Sequence, residues 1–370
     1  MKIAIYGCNE GPEGFGHVFI NLINALGGHY PGLFVITHKE AIADYDKVDP
    51  AIRRVILGSR NSEFGNAQSL ADCLRQEAPD IVLCDANREK KCRTLLLAKW
   101  LARSRAKIVF RLGTPHSRIA AQRNWLNAFF YRMSVRRTFS RADFVIANSQ
   151  GVSKDLLQMT GLAPERTQVI KNSTISSALY EMADKGLEDP WFEDSEIPVV
   201  IGIGRLRKAK DFEVLIKAFA IVRAQRDCRL AILGEGGERP PLEALIKKLG
   251  LEGAVKLYGH VKNPFVYLRR AALFVLSSRF EGSPNVLIEA LALGVPVVAT
   301  DCLSGPREIL ADGKYGPLVA VGDHLSLAKA ILATLDHHPP ASVLQQSVAE
   351  YNADEVAARY VAIFTRLLAV

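Results

Sequence analysis

Residues 271–310 read AALFVLSSRFEGSPNVLIEALALGVPVVATDCLSGPREIL, and the interpretation of the whole chain starts from this stretch. The apolar run Leu273–Leu276 predicts a buried strand, which the turn residues from Glu281 onward bring to an end. Ser283 is the predicted N-cap of a helix that ends at Gly294, and a second apolar run follows. This order of strand, loop, helix and strand is typical of a parallel α/β sheet.

The start of this helix predicts an anion site. The amides of Asn285, Val286 and Leu287 are expected to point out of the helix N-terminus at the carboxyl end of a parallel strand, where a phosphate is readily bound. Glu281 and Glu289 flank that position, and their carboxylates suit sugar hydroxyls rather than phosphate. The pattern therefore indicates a ligand with a charged middle and hydroxylated ends, as in a nucleoside diphosphate sugar.

A basic loop upstream supports the same ligand. Residues 204–212 read GRLRKAKDF and follow the predicted strand Val199–Ile203. Arg205 offers a planar fork of donors and Lys210 a mobile point charge, both of which suit phosphate oxygens.

The paired glutamates and their context resemble a known family. Glu281 and Glu289, with Gly282 and Asn285 between them in the block SSRFEGSPNVLIEALALGVPVVATD, resemble the retaining glycosyltransferases of family four. That resemblance implies the GT-B type of α/β fold, in which two facing doubly wound parallel-sheet domains hold the active site in the cleft between them. It also implies that the leaving diphosphate helps to deprotonate the acceptor.

The resemblance implies a role for each matching position. The predicted contacts of the donor diphosphate are Arg205, Lys210, Gly14, Gly16 and the start of the helix at Asn285, Val286 and Leu287. The ribose is assigned to Glu289, and the donor sugar to Glu281, Gly282 and Ser283. The nucleobase is expected beside His260 and Val261. Glu281 and His116 are the predicted catalytic residues, although structural hydrogen bonding is an equal alternative for His116. For Gly14 and Gly16 the alternative is a plain turn between strand and helix.

The predicted reaction moves a sugar, with a UDP-sugar as the favoured donor, to a glycan or lipid-linked saccharide. The sequence of residues 283–310, SPNVLIEALALGVPVVATDCLSGPREIL, resembles family members that build bacterial surface polysaccharides on lipid-linked intermediates. No metal or other cofactor is expected. The alternatives are a binding protein that holds a nucleotide sugar without catalysis and another enzyme of the same fold, such as an epimerase.

Length and segment composition predict the domain organisation. The 370 residues exceed one ordinary core. We expect an N-terminal acceptor-side domain over 1–175, a polar linker over 176–197, a donor-binding domain over 198–350, and a helix over 351–370 that packs back on the first domain.

Charge and cysteine spacing narrow the function classes. A net charge of +8 favours acidic partners, but the sequence carries no nucleic-acid-binding motif, so no nucleic-acid partner is expected. The six cysteines have no paired metal spacing, which favours reduced thiols and a cytoplasmic location.

The segment 117–141 mixes aromatic residues with arginines. Leu126, Phe129, Phe130 and Met133 share one side of a predicted helix that also carries several arginines. Such a helix suits an anionic membrane surface on the inner face of the plasma membrane, and the alternative is that its apolar side packs on the first domain.

Overall fold

The computed structural model describes residues 1–7, 16–40, 45–58, 60, 62–193, 196–281, 283–302 and 305–369. The chain divides into two compact units, of which unit 1 comprises Met1–Thr174 with Tyr351–Val370 and unit 2 comprises Ile175–Glu350. Gly14 and Gly282, both predicted to contact the donor, lie outside the described residues.

Unit 1 contains a seven-stranded parallel sheet with the order β3-β2-β1-β4-β5-β6-β7. Its strands are β1 Ile3–Tyr6, β2 Phe34–Thr37, β3 Arg53–Ile56, β4 Ile81–Asp85, β5 Lys107–Leu112, β6 Phe144–Ala147 and β7 Thr167–Val169. Its helices up to that point are α1 His17–His29, α2 Glu63–Glu77, α3 Glu89–Ala102, α4 His116–Ala121, α5 Trp125–Phe139 and α6 Gln150–Thr160.

The inner strands of the unit 1 sheet, such as β1, β2 and β6, are continuous apolar runs that are buried on both faces. Alternate residues of β1 enter opposite cores: Ile3 and Ile5 pack in one cluster, whereas Ala4 and Tyr6 pack in the other.

Unit 2 contains a six-stranded parallel sheet with the order β10-β9-β8-β11-β12-β13. Its strands are β8 Val199–Ile203, β9 Arg229–Leu233, β10 Val255–Gly259, β11 Leu273–Leu276, β12 Val297–Thr300 and β13 Leu318–Val319. Its helices are α7 Ser177–Ala183, α8 Pro190–Glu193, α9 Phe212–Arg223, α10 Arg239–Lys248, α11 Phe265–Arg270, α12 Asn285–Ala292, α13 Pro306–Ile309, α14 His324–Asp336 and α15 Ala341–Ser347.

The sequence analysis assigned the stretch 176–197 to a linker, but its described residues 176–193 carry α7 and α8 and belong to unit 2. The side-chain amide of Asn263 donates to the Met182 carbonyl at 2.7 Å. The indole ring of Trp191 meets the ring of Tyr258 edge to face at 6.4 Å. These contacts fix a segment whose polar, acidic composition had suggested a loose connection.

The last helix, α16 Ala353–Leu368, belongs to unit 1. Asn352 caps it, because its side-chain oxygen accepts hydrogen bonds from the amides of Asp354 and Glu355. Its apolar face enters the same core as Ile3 and Ile5. The chain therefore returns to the first unit after it has completed the second.

Candidate functional site

The carboxyl edge of the unit 2 sheet brings the two predicted halves of the donor site together. Strand order reverses between β8 and β11, which are hydrogen-bonded neighbours with Val200 opposite Leu273. In open parallel sheets ligands bind at such a switch point, outside the carboxyl ends of the strands. The loop after β8 carries Arg205 and Lys210, and the loop after β11 carries Glu281.

Lys210 and Glu281 are in direct contact. The Lys210 ammonium lies 2.6 Å from Oε1 of Glu281, and the Ser278 hydroxyl donates to the same oxygen at 2.6 Å. The hydroxyl of Ser277 donates to the Lys210 carbonyl at 2.8 Å, which fixes the backbone of the basic loop. An ammonium group has three donors, so Lys210 retains the capacity to bind a phosphate oxygen beside Glu281.

The remaining predicted donor contacts lie along the same edge. Arg205 is exposed in the loop after β8, and Glu289 is buried in the second turn of α12. His260 and Val261 directly follow β10, two strands away from β8. Their assigned roles stay predictions.

The start of α12 differs from the sequence prediction. Pro284 rather than Ser283 is the N-cap, and its φ of −75° and ψ of 83° are not helical. The Asn285 amide donates to the Ser283 carbonyl at 2.9 Å, and the Leu287 amide donates to the Pro284 carbonyl at 3.0 Å. Two of the three amides expected to be open to a phosphate are thus engaged by the chain itself, and any contact of Asn285, Val286 or Leu287 with the donor stays a prediction.

Two glycines bring the loop after β9 against the loop after β8. A Cβ on Gly234 would lie 1.9 Å from the Gly204 carbonyl oxygen, and one on Gly236 would lie 2.3 Å from the Leu206 carbonyl oxygen. Both glycines have positive φ, 143° and 159°, which side chains rarely adopt. Neither glycine had a predicted role, although the run Gly-Glu-Gly-Gly directly after a strand is typical of a loop that needs close backbone approach.

In unit 1 the predicted catalytic histidine is buried and fully hydrogen-bonded. Nε2 of His116 lies 3.3 Å from the Ala86 carbonyl oxygen, and Nδ1 lies 2.5 Å from the Tyr131 hydroxyl. A carbonyl only accepts, so Nε2 carries the proton and Nδ1 accepts from Tyr131. Burial lowers the pKa of His116 and keeps the ring neutral. This geometry is that of the structural alternative, and the catalytic role stays a prediction.

The unit 1 sheet also has a switch point, between β1 and β4. Asp85 ends β4 there, and burial raises the pKa of its carboxyl group, whereas the charges of Arg111 and Lys91 oppose that rise. The Lys91 ammonium donates to the Gly7 carbonyl at 2.8 Å, next to β1. Gly16, the other predicted contact here, precedes α1 with φ 71°. Sequence reasoning missed Asp85 because one aspartate after an apolar strand is a common pattern.

The segment 117–141 exposes much of its apolar side. Trp125 is 81% exposed, Phe129 55% and Phe130 58%, whereas Phe139 at the other end of α5 is fully buried. On the neighbouring helix α3, Trp100 is 73% exposed. A groove between the two helices is lined by both cationic and apolar side chains, which include Arg93, Lys99, Arg103, Arg137, Arg141, Leu96, Leu97 and Met133. Phe129 and Phe130 are thus each more than half exposed in this structure.

Two kinds of feature are absent from the described part of the chain. No group of three or more histidine, cysteine, aspartate or glutamate side chains in that part of the chain is placed to hold a metal ion. Likewise, none of the helices built from described residues has the length and apolarity needed to cross a bilayer.

Comparison with known families places these features in context. The profile described as Glycosyltransferase Family 4 matches residues 13–174, and the profile described as Glycosyl transferases group 1 matches residues 187–351. Together the two profiles span most of both units.

Two relatives and one solved structure illustrate the likeness. A Campylobacter jejuni protein, N-acetylgalactosamine-N,N'-diacetylbacillosaminyl-diphospho-undecaprenol 4-alpha-N-acetylgalactosaminyltransferase, is 33% identical over 241 residues, which are 65% of this chain and 63% of that protein. The alignment thus covers less than two thirds of that relative's length. A lipopolysaccharide 1,6-galactosyltransferase from Salmonella typhimurium is 24% identical over 340 residues, 87% of this chain and 86% of that protein. The crystal structure of Anabaena HepE in complex with UDP has a TM-score of 0.78 at 20% identity and covers 99% of this chain and 100% of that chain.

The two doubly wound parallel-sheet units and this structural likeness define a GT-B fold, as the sequence predicted. The chain belongs to the family 4 glycosyltransferases, with a Family 4 profile over unit 1 and a group 1 profile over unit 2.

Proposed function

We propose that the protein is a retaining glycosyltransferase that moves a sugar from a nucleoside diphosphate sugar to a saccharide or lipid-linked acceptor in bacterial surface polysaccharide synthesis. The observation that carries this proposal is the contact of Lys210 with Glu281 at the switch point of unit 2. A cation suited to phosphate thus lies beside a carboxylate suited to sugar hydroxyls, and this combination supports a nucleotide sugar as the ligand.

Each charged side chain has a defined task in this proposal. Arg205 and Lys210 bind the diphosphate, and their positive charge stabilises it as it departs with additional negative charge. Glu281 accepts hydrogen bonds from the hydroxyls of the donor sugar, and Glu289 accepts them from the ribose. Glu281 is already oriented by Ser278 and Lys210, so it needs little reorganisation when the donor binds.

The transfer itself exchanges one bond at the anomeric carbon. The bond from that carbon to the diphosphate oxygen breaks, and a bond to the acceptor oxygen forms on the same face. The acceptor's hydroxyl proton passes to the departing diphosphate, so the nucleoside diphosphate leaves as the product. The family resemblance supports this retaining course.

UDP is the favoured nucleotide, and a lipid-linked or lipopolysaccharide saccharide is the favoured acceptor. The structurally similar HepE was solved in complex with UDP. The Campylobacter relative is named for a diphospho-undecaprenol acceptor, and the Salmonella relative is named for lipopolysaccharide. These names support a substrate carried at a membrane.

We also propose that the segment 117–141 docks peripherally on the inner face of the plasma membrane. Trp125, Phe129 and Phe130 provide an exposed apolar side that is suited to the interface. Arg137 and Arg141 at the end of α5, with Arg103 at the end of α3, provide positive charge for anionic lipid headgroups.

The test is a thermal-shift panel of UDP, GDP, ADP, NAD and their sugar conjugates, followed by an assay of UDP release. A ligand at about one hundred times its dissociation constant adds roughly 2.7 kcal/mol of stability, which moves the melting midpoint by several degrees. We expect UDP conjugates to stabilise the wild type and Glu289→Ala to lose the shift. The exposed Glu243→Ala on α10 is the matched control and should keep it.

The outcomes separate the alternatives. Stabilisation by UDP conjugates with UDP release in the presence of acceptor supports the transferase. The same stabilisation without turnover on any acceptor indicates a nucleotide-sugar-binding protein, and interconversion of the donor sugar indicates an epimerase. Stabilisation by NAD alone would contradict the proposed site.

A further inference from the structure

Asp211 has an unusual backbone conformation for its residue type. It lies between Lys210 and the first residue of α9, with φ 49° and ψ 45° in the left-handed region. Its side chain is only 3% exposed. An aspartate pays a conformational cost in that region, and a buried carboxylate needs a partner, so other contacts must maintain this arrangement.

Those contacts come from the loop after β11. The guanidinium of Arg279 pairs with the Asp211 carboxylate: Nη2 donates a hydrogen bond to Oδ1 at 3.2 Å, and Nε lies 2.8 Å from Oδ2 as an ion-pair contact. The backbone amide of Arg279 donates to the Ala209 carbonyl at 2.8 Å. The Ser277 hydroxyl also donates to the Lys210 carbonyl. The loop after β11 therefore contacts three consecutive residues of the basic loop, Ala209, Lys210 and Asp211.

We infer that Arg279 is a positioning residue of the donor site, which fixes the backbone around Lys210 by clamping Asp211. The effect of Arg279 on donor binding rests on the proposed function, in which Lys210 binds the diphosphate. Arg279 and Glu281 are two residues apart in one loop, whereas Lys210 and Asp211 are adjacent in the other. The clamp therefore sets the distance at which the phosphate-binding ammonium faces the sugar-binding carboxylate.

Two properties of the pair explain why arginine suits this position. A planar fork engages both carboxylate oxygens at once, which fixes orientation as well as distance, and a lysine at the same place offers only a point charge. Asp211 in turn needs the pairing because its carboxylate is buried. A glycine at 211 adopts the left-handed conformation without cost and has no carboxylate to satisfy, so it makes the clamp unnecessary.

The first arm of the test measures UDP affinity by calorimetry on the full chain. We expect Arg279→Ala to weaken UDP binding about tenfold and Arg279→Lys to restore only part of it, because the planar guanidinium that contacts both oxygens of Asp211 is lost. In a Lys210→Ala background, Arg279→Ala should change the UDP affinity less than twofold, because Arg279 acts on binding through Lys210. The control is Arg226→Ala, which removes another Arg–Asp pair of unit 2, with Asp336, and should leave UDP affinity unchanged.

The second arm uses Asp211→Gly. In that background the effect of Arg279→Ala should shrink to less than twofold. An undiminished loss in both the Lys210→Ala and Asp211→Gly backgrounds would mean that Arg279 contacts the nucleotide itself, and it would overturn the positioning role.

The third arm needs no ligand, so it separates this inference from the proposed function. Hydrogen exchange of the peptide spanning 205–212 should accelerate in Arg279→Ala and stay at the wild-type rate in Arg226→Ala. If the wild type binds no nucleotide but this exchange responds, the donor assignment fails and the clamp stands. Unchanged exchange in Arg279→Ala would overturn the clamp whatever the ligand.

Discussion

The ammonium of Lys210 lies 2.6 Å from Oε1 of Glu281, although the two residues are 71 positions apart in the chain. Their loops meet because β8 and β11 are adjacent parallel strands, with Ile201 opposite Phe274. Parallel strands place their carboxyl ends at one edge, so the sheet register alone brings the basic loop and the glutamate loop together.

Lys210 and Glu281 should separate binding from turnover. Lys210→Ala removes a charge-assisted hydrogen bond of about 1.5–3 kcal/mol, so UDP affinity should fall by roughly 10- to 100-fold. Glu281→Ala should depress turnover and leave UDP affinity nearly intact. Calorimetry with UDP and initial rates of UDP release measure the two effects. Lys217→Ala, which removes an exposed pair with Glu213, is the control. Strong loss of UDP affinity in Glu281→Ala would refute the role assigned to that carboxylate.

Gly236 and its neighbour Gly237 should respond differently to alanine. Gly236→Ala places a Cβ against the Leu206 carbonyl at a φ of 159°, and the backbone must shift to relieve the contact. We expect it to lower the melting midpoint by several degrees and to weaken UDP binding. At Gly237 a Cβ meets no described atom within 4 Å, so Gly237→Ala should stay within about 0.5 kcal/mol of the wild type. Equal effects in a calorimetric scan would show that loop composition rather than the close approach matters.

The exposed side of α5 should bind anionic bilayers. Replacing both Trp125 and Phe129 by serine removes two exposed aromatic rings of α5, so the fraction that sediments with phosphatidylglycerol vesicles at low salt should fall several-fold. Raising the salt from about 0.05 to about 0.5 M should release the wild type as well, because screening weakens the contribution of the arginines. Leu325→Ser, at a 58% exposed leucine of unit 2, should sediment like the wild type. Failure of the wild type to sediment at low salt would contradict membrane docking.

His116 should make stability depend on pH. Burial holds its pKa below the ordinary value of 6.5, so the unfolded chain binds this proton more readily than the folded protein. The contribution of the neutral ring is complete above about pH 6.5 and is lost as the pH falls through the interval between the two pKa values. Urea unfolding midpoints should therefore drop more between pH 7.5 and pH 5.5 (about one unit on either side of 6.5) in the wild type than in His116→Gln. The exposed His29→Gln is the control and should follow the wild type; identical slopes in all three proteins would show that folding does not lower the pKa of His116.

The sheets were predictable from sequence because parallel strands are continuous apolar runs. Leu273–Leu276 and Val199–Ile203, the two strands whose bounds the sequence analysis gave, have the predicted bounds. The helix start at Pro284 was misplaced by one residue. Proline is favoured at the first helical position, but here its ψ of 83° excludes it from the helix, and composition does not encode that choice.

Partners distant in the chain were not predictable. Tyr131, whose hydroxyl is hydrogen-bonded to His116, lies fifteen residues downstream, and nothing in the sequence spacing predicts that contact. Arg279 and Asp211 were visible only as charges beside the predicted site residues. The segment 176–197 was assigned to a linker because its composition is polar, whereas tertiary contacts such as Trp191 against Tyr258 decide its fold.

The return of the chain into unit 1 has a consequence for biosynthesis. Unit 2 is one continuous stretch, so it can complete its sheet while the ribosome is still producing the rest. Unit 1 cannot complete its core at that stage, because Val356, Tyr360 and Phe364 of α16 are part of it and are translated last. The second unit to be translated is thus the first able to fold completely, and a nascent chain that stops before α16 exposes an apolar surface for chaperones to bind.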